Sequence, residues 1–117
     1  MDAIYIAGPT AVGKSAVALL VAEELRGEII SVDSMQVYRR LDIGTAKPTA
    51  GERARIPHHL IDVAGPNEAF DAARFVRLAA KAQDEIVARE RVAIYCGGTG
   101  LYFNALISGL AEVPAPD

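Results

Sequence analysis

The chain has 117 residues, 51% of them apolar and 23% charged, with a net charge of −3. This is the balance of a single soluble globular domain with a real core, and it excludes a disordered tail or a globally basic nucleic-acid binder. No apolar run approaches the ~18 residues that span a bilayer, Met1-Asp2 does not open a secretory leader, and the lone Cys96 cannot form an internal disulfide, so a cytoplasmic protein without membrane contact is expected.

The first predicted element is a short apolar strand, Ala3 to Ala7. Directly after it, Gly8-Pro9-Thr10-Ala11-Val12-Gly13-Lys14-Ser15 has the full spacing of a phosphate-binding loop. Such a loop works by pointing consecutive backbone N–H groups into one concavity, to which the following helix N-terminus adds positive potential. Gly8 and Gly13 permit backbone that a Cβ would block. Lys14 supplies a mobile charge for terminal phosphate oxygens, and the Ser15 hydroxyl can ligate Mg²⁺. A helix from about Lys14 to Arg26 follows, with Gly27 expected to punctuate its end.

Glu28 to Val32 is predicted as a second strand, β-branched and apolar on both sides. From Asp33 to Pro57 no clean period exists, and Gly44, Pro48, Gly51 and Pro57 allow turns and at most short helices. Between Arg39 and His59, Arg39, Arg40, Lys47, Arg53 and Arg55 stand against only Asp42 and Glu52, a local excess that can face phosphates or simply solvent.

His58 to Val63 reads as a short third strand and residues 64–67 as a turn. Asp71 is placed to cap a helix running to about Arg89, with Phe75, Leu78, Ala79, Ala82 and Ile86 on one stripe and Glu85 spaced to support Arg89. Arg91 to Cys96 is a further buried-type strand, ending in Gly97-Gly98-Thr99-Gly100, and a short helix is expected from Leu101 to Ile107. His58 and His59 do not make a metal pair, since strand neighbours point to opposite faces. Cys96 reads as a small core residue.

Strands alternating with helices imply an α/β fold: a P-loop NTPase-like parallel sheet with helices on both faces. Ligands of such sheets bind outside the carboxyl ends of the strands. Three polar clusters follow those ends: the phosphate loop, Asp33-Ser34-Met35-Gln36, and Gly98-Thr99. Asp33 can hold Mg²⁺, act as a general base or cap the segment after it. Thr99, between glycines, can hydrogen-bond a ligand oxygen or simply form the turn.

Five strings occur in order: residues 8–15, Asp33-Ser34-Met35-Gln36-Val37-Tyr38, Gly44-Thr45-Ala46-Lys47-Pro48, Pro57-His58-His59-Leu60-Ile61-Asp62 and Gly97-Gly98-Thr99-Gly100-Leu101-Tyr102. Together they resemble the tRNA dimethylallyltransferases. These enzymes move an isopentenyl unit from dimethylallyl diphosphate to N6 of the adenosine beside the anticodon. The resemblance covers essentially the entire chain and reassigns the loop from a nucleotide to an isoprenoid diphosphate. It implies that residues 8–15 hold the diphosphate, with Lys14, the loop amides and Mg²⁺ at Ser15 taking up its charge. It also implies that Thr10 hydrogen-bonds near the bridging oxygen and that Asp33 accepts the N6 proton. Ser34, Met35 and Gln36 would contact the flipped-out base region, and Thr99 would sit where tRNA and donor meet.

Members of that family are usually more than twice as long. The resemblance therefore implies that residues 1–117 are the N-terminal portion of a P-loop catalytic domain. The C-terminal remainder and the helical insertion that grips the anticodon stem-loop would be absent, leaving little or no transferase activity. The rival readings are a P-loop kinase of a small molecule or nucleotide, a GTPase-like switch resting on Asp62-Val63-Ala64-Gly65, and an adenylate isopentenyltransferase acting on free nucleotide. A non-catalytic reading stands beside them, an inert folded half or an interaction module acting through an exposed face, with self-association as its sign.

Overall fold

In the computed structural model, the backbone is described for residues 3–7, 14–32, 48–61, 63–65, 71–97 and 104–106. Strands β1 (Ala3–Ala7), β2 (Gly27–Val32), β3 (His58–His59) and β4 (Val92–Gly97) form one sheet in the order β1-β4-β2-β3. Every pairing is parallel. Helices α1 (Lys14–Leu25), α2 (Ala50–Arg55) and α3 (Ala72–Ala88) connect them.

Alternation along the strands builds two cores. Ile30 and Val32 of β2 and Ala93 and Tyr95 of β4 meet Phe75, Ala79, Ala82 and Ile86 of α3. On the opposite face, Ile29 and Ile94 meet Ala18, Leu19 and Ala22 of α1. Because the period of a strand is two, β2 and β4 can be apolar throughout and feed both layers. The helices thus cover both faces of a parallel sheet, the expected α/β architecture.

The caps follow local chemistry. Asp71 accepts from the Arg74 N–H at 2.8 Å and opens α3, and the predicted stripe is the one that packs, with Leu78 at its margin. Thr49 and Glu52 form a reciprocal capping box at α2, with bonds of 2.8 and 3.1 Å.

Two expectations need correction. Gly27 does not end α1: Arg26 takes the left-handed conformation there, at φ 55°. Gly27 is instead the first residue of β2, where a Cβ would lie 2.7 Å from the Ile94 side chain and 2.8 Å from the Val92 carbonyl oxygen. The third strand stops at His59, because Leu60 turns into the left-handed region at φ 66° to bury its side chain. Arg89 places its guanidinium on Glu28, and the Glu85 charge one turn back supports it as their spacing predicts. Residues 104–106 are helical, and the other residues of the expected 101–107 helix lie outside the described residues.

Candidate functional site

Register brings the ends of three strands to one level. Ala7 of β1 pairs with Gly97 of β4, and Val32 of β2 pairs with the same Gly97 from the other side. Gly8, Asp33 and Gly98 therefore continue the chain from three neighbouring points on the carboxyl edge of the sheet. The approach at Gly97 is close: a Cβ there would lie 2.1 Å from the Val32 carbonyl oxygen. Only glycine lets β2 and β4 finish side by side at this spacing.

Helix α1 returns to the same edge. Lys14 and Ser15 are its first two residues, so its N-terminal N–H groups and the positive end of its dipole follow residues 8–13. Its first turn carries no acidic residue, so no carboxylate of its own cancels that potential. An edge with these properties suits an anion with several oxygens.

Of the predicted site residues, Gly8, Pro9, Thr10, Ala11, Val12 and Gly13 lie outside the described residues, as do Asp33, Ser34, Met35, Gln36 and Thr99. Lys14 and Ser15 are described in backbone only. What the fold fixes is the convergence of the strand ends that precede them in the chain. Within the basic stretch, Arg55 forms an ion pair with Glu23 of α1, while Arg39, Arg40 and Lys47 lie outside the described residues.

Sequence reasoning passed over one charged cluster, at the opposite end of the sheet. Glu28 is 2% exposed, one residue into β2. Arg89, the C-cap of α3, grips its carboxylate with two bonds of 2.9 and 2.6 Å, and His59 Nε2 donates to it at 2.7 Å. Arg91, just before β4, adds an ion pair at 3.7 Å. The Arg89 hydrogen bond outweighs burial and holds the Glu28 carboxyl below its usual range. The cluster ties β2, β3, α3 and β4 together where the strands begin. A glutamate inside an apolar strand, with Arg89 and Arg91 flanking a later strand, was the available signal. His58 turns the other way and donates from Nδ1 to the Ile56 carbonyl at 2.7 Å, so the two rings engage separate partners. Cys96 is half-buried and packs against the α1-side core. No helix among the described residues is long and apolar enough to cross a membrane.

Residues 36–117 match the family model for IPP transferase. A tRNA dimethylallyltransferase from Anaeromyxobacter dehalogenans strain 2CP-C is 56% identical over all 117 residues, which are 39% of its own length. One from Halorhodospira halophila is 59% identical over 114 residues, 37% of its length. Among solved structures, the tRNA isopentenylpyrophosphate transferase of Bacillus halodurans superposes with a TM-score of 0.86 at 50% identity, covering 98% of this chain and 37% of that one. A eukaryotic dimethylallyltransferase described as acting on tRNA superposes at 0.82 with 33% identity, covering 100% of this chain and 28% of that one. The chain thus spans less than two fifths of the length of these relatives.

Proposed function

The chain belongs to the IPP transferase family, and from that membership we propose that it supplies the donor-binding part of a tRNA dimethylallyltransferase. The observation that carries this reading is the shared register of Ala7, Gly97 and Val32, from which the phosphate loop, Gly98-Thr99 and Asp33 continue.

In this reading residues 8–15 bind the diphosphate of dimethylallyl diphosphate. As the carbon–oxygen bond breaks, its electron pair moves onto the leaving diphosphate, and donors aimed there in advance lower the barrier. The loop amides, the α1 N-terminus and the Lys14 ammonium are those donors, with Thr10 near the bridging oxygen. The oxygen donor at Ser15 suits a hard cation, and Mg²⁺ bound there would neutralise part of the diphosphate charge. The adenine N6 forms the new carbon–nitrogen bond and gives up a proton to the Asp33 carboxylate. Ser34, Met35, Gln36 and Thr99 orient the adenosine, which must leave its stack to reach the donor. The tRNA anticodon stem-loop is the second substrate, and the chain works in the cytoplasm, where tRNA is modified.

Calorimetric titration of the chain with dimethylallyl diphosphate and Mg²⁺ tests this. Binding is expected to need neither adenine nor guanine, and Lys14→Ala is expected to weaken it about 10- to 100-fold, as for the loss of one charged hydrogen bond. Binding of ATP or GTP in preference to the isoprenoid would overturn the donor assignment and favour a kinase or switch.

A further inference from the structure

Helix α3 carries its charges in an order that works against a helix. Arg74 and Arg77 lie in its first two turns and Asp84 and Glu85 in its last two, with no acid in the first turn and no base in the last. The helix dipole favours the reverse arrangement. Arg74 and Arg77 are three apart, and Arg77 and Lys81 four apart, so like charges are also neighbours on one face. Of the flanking groups that do suit the dipole, Asp71 caps the first turn and Arg89 is held by Glu28.

The stripe has a definite place. Helix α3 joins β3 to β4, two strands that run parallel in one sheet, so it returns from the carboxyl edge to the amino end. The grip of Arg89 on Glu28 marks where it arrives. Arg74 and Arg77 therefore lie in the half nearer the carboxyl edge, with Lys81 at mid-helix. At 100° per residue the three fall within about 60° and span about 10 Å. They point away from Phe75, Ala79, Ala82 and Ile86, which pack on the sheet. Arg77 and Lys81 are exposed and Arg74 is half-buried. Among the described residues no carboxylate pairs with Arg77 or Lys81, although Asp84 and Glu85 follow Lys81 by three and four positions.

We propose that Arg74, Arg77 and Lys81 contact the phosphate backbone of the RNA substrate beside the carboxyl edge. The proposal rests on the functional reading above, in which an RNA stem-loop is brought to that edge. Two features select this occupant. The stripe offers no exposed aromatic side chain, so it has neither an anchor for a protein partner nor a platform on which a base could stack. What it does offer is cations on long stems, which suit phosphates and carry no sequence information. Repulsion along the stripe, unfavourable in the free helix, is relieved when phosphates meet it. Helix α3 thus adds a sequence-independent hold on RNA to the groups at the edge itself.

The test uses a full-length chimera in which this chain replaces the matched part of the Anaeromyxobacter dehalogenans relative. Binding of a synthetic RNA anticodon stem-loop is measured across a salt series. Arg77→Gln with Lys81→Gln is expected to weaken binding about tenfold at 0.1 M salt and to flatten the slope of log K against log salt by about 1.5, as for the loss of two phosphate contacts. A stem-loop of unrelated sequence should lose as much. Arg26→Gln, which removes an exposed cation at the amino end of the sheet, should leave the affinity unchanged. The unfolding midpoint of the double variant should be equal or higher, since a like-charge pair is gone. Unchanged RNA affinity or an unchanged slope overturns the proposal. So does an equal loss with Arg26→Gln, which is an effect of net charge alone, or a lowered midpoint, which makes the stripe a structural one. Donor titration on the same preparations keeps the two readings apart: a chimera that binds RNA through this stripe but prefers ATP to the isoprenoid overturns the functional one only.

Discussion

Gly97 and Val32 end their strands so close together that the missing Cβ of one would overlap the carbonyl of the other, at 2.1 Å. The spacing of the carboxyl edge, and hence of whatever binds there, depends on that single absent carbon. Gly97→Ala must push backbone against backbone, and a cost of at least about 2 kcal/mol is expected in urea unfolding. Gly51→Ala is the contrast: its nearest neighbour would be 3.9 Å away, inside the exposed α2, and the change should be neutral or stabilise by about 0.5 kcal/mol. Equal effects at the two positions would show that the β2–β4 approach is not set by Gly97.

Glu28 holds the other end of the sheet. Removing a buried partner strands the opposing charges, so Glu28→Ala is expected to cost about 3–5 kcal/mol. Arg91→Ala, at 3.7 Å and partly exposed, should cost less than about 1 kcal/mol. Chemical denaturation of both variants measures the difference, and a small loss for Glu28→Ala would mean that the cluster adds nothing.

Acid should destabilise the chain in two stages. Burial lowers the His58 pKa below the ordinary 6.5, so the unfolded state binds its proton first. Stability contributed by the neutral ring is complete above about pH 6.5 and is lost as pH falls below it. The Glu28 pKa is also lowered, chiefly by Arg89, from 4.5, so its contribution is present above that value and is lost as pH falls through the folded-state value. Both terms have the same sign. Unfolding free energy measured from pH 8 to pH 3 should decline in both windows, and His58→Gln should flatten the upper one while leaving the lower.

Asp33 and Lys14 should separate by function. In a full-length chimera carrying this chain in place of the matched part of the Anaeromyxobacter dehalogenans relative, Asp33→Ala is expected to lower dimethylallyl transfer at least ~100-fold, the usual worth of a general base. Donor affinity should be unchanged. Single-turnover assays and donor titration on the same preparation distinguish the two, and loss of donor binding with Asp33→Ala would remove it from the role of base.

Local pattern was enough to locate most elements. Short apolar runs and one amphipathic stripe mark β1, β2, β4 and α3, and Asp71 caps where a short polar side chain can meet a free N–H. The string from Gly8 to Ser15 carries the spacing of a phosphate-binding loop. These features depend on neighbours a few residues apart. Contacts across the sheet decided the rest. Gly27 looks like a helix terminator until Ile94 is seen to need its space, and the grip of Arg89 on the distant Glu28 is visible only once α3 is packed on β2. Likewise, the ends of β1, β2 and β4 meet at one edge only through the pairing of Ala7 and Val32 with Gly97. Strand order and register are long-range facts, set by which faces must be buried together, and no stretch of sequence contains them by itself.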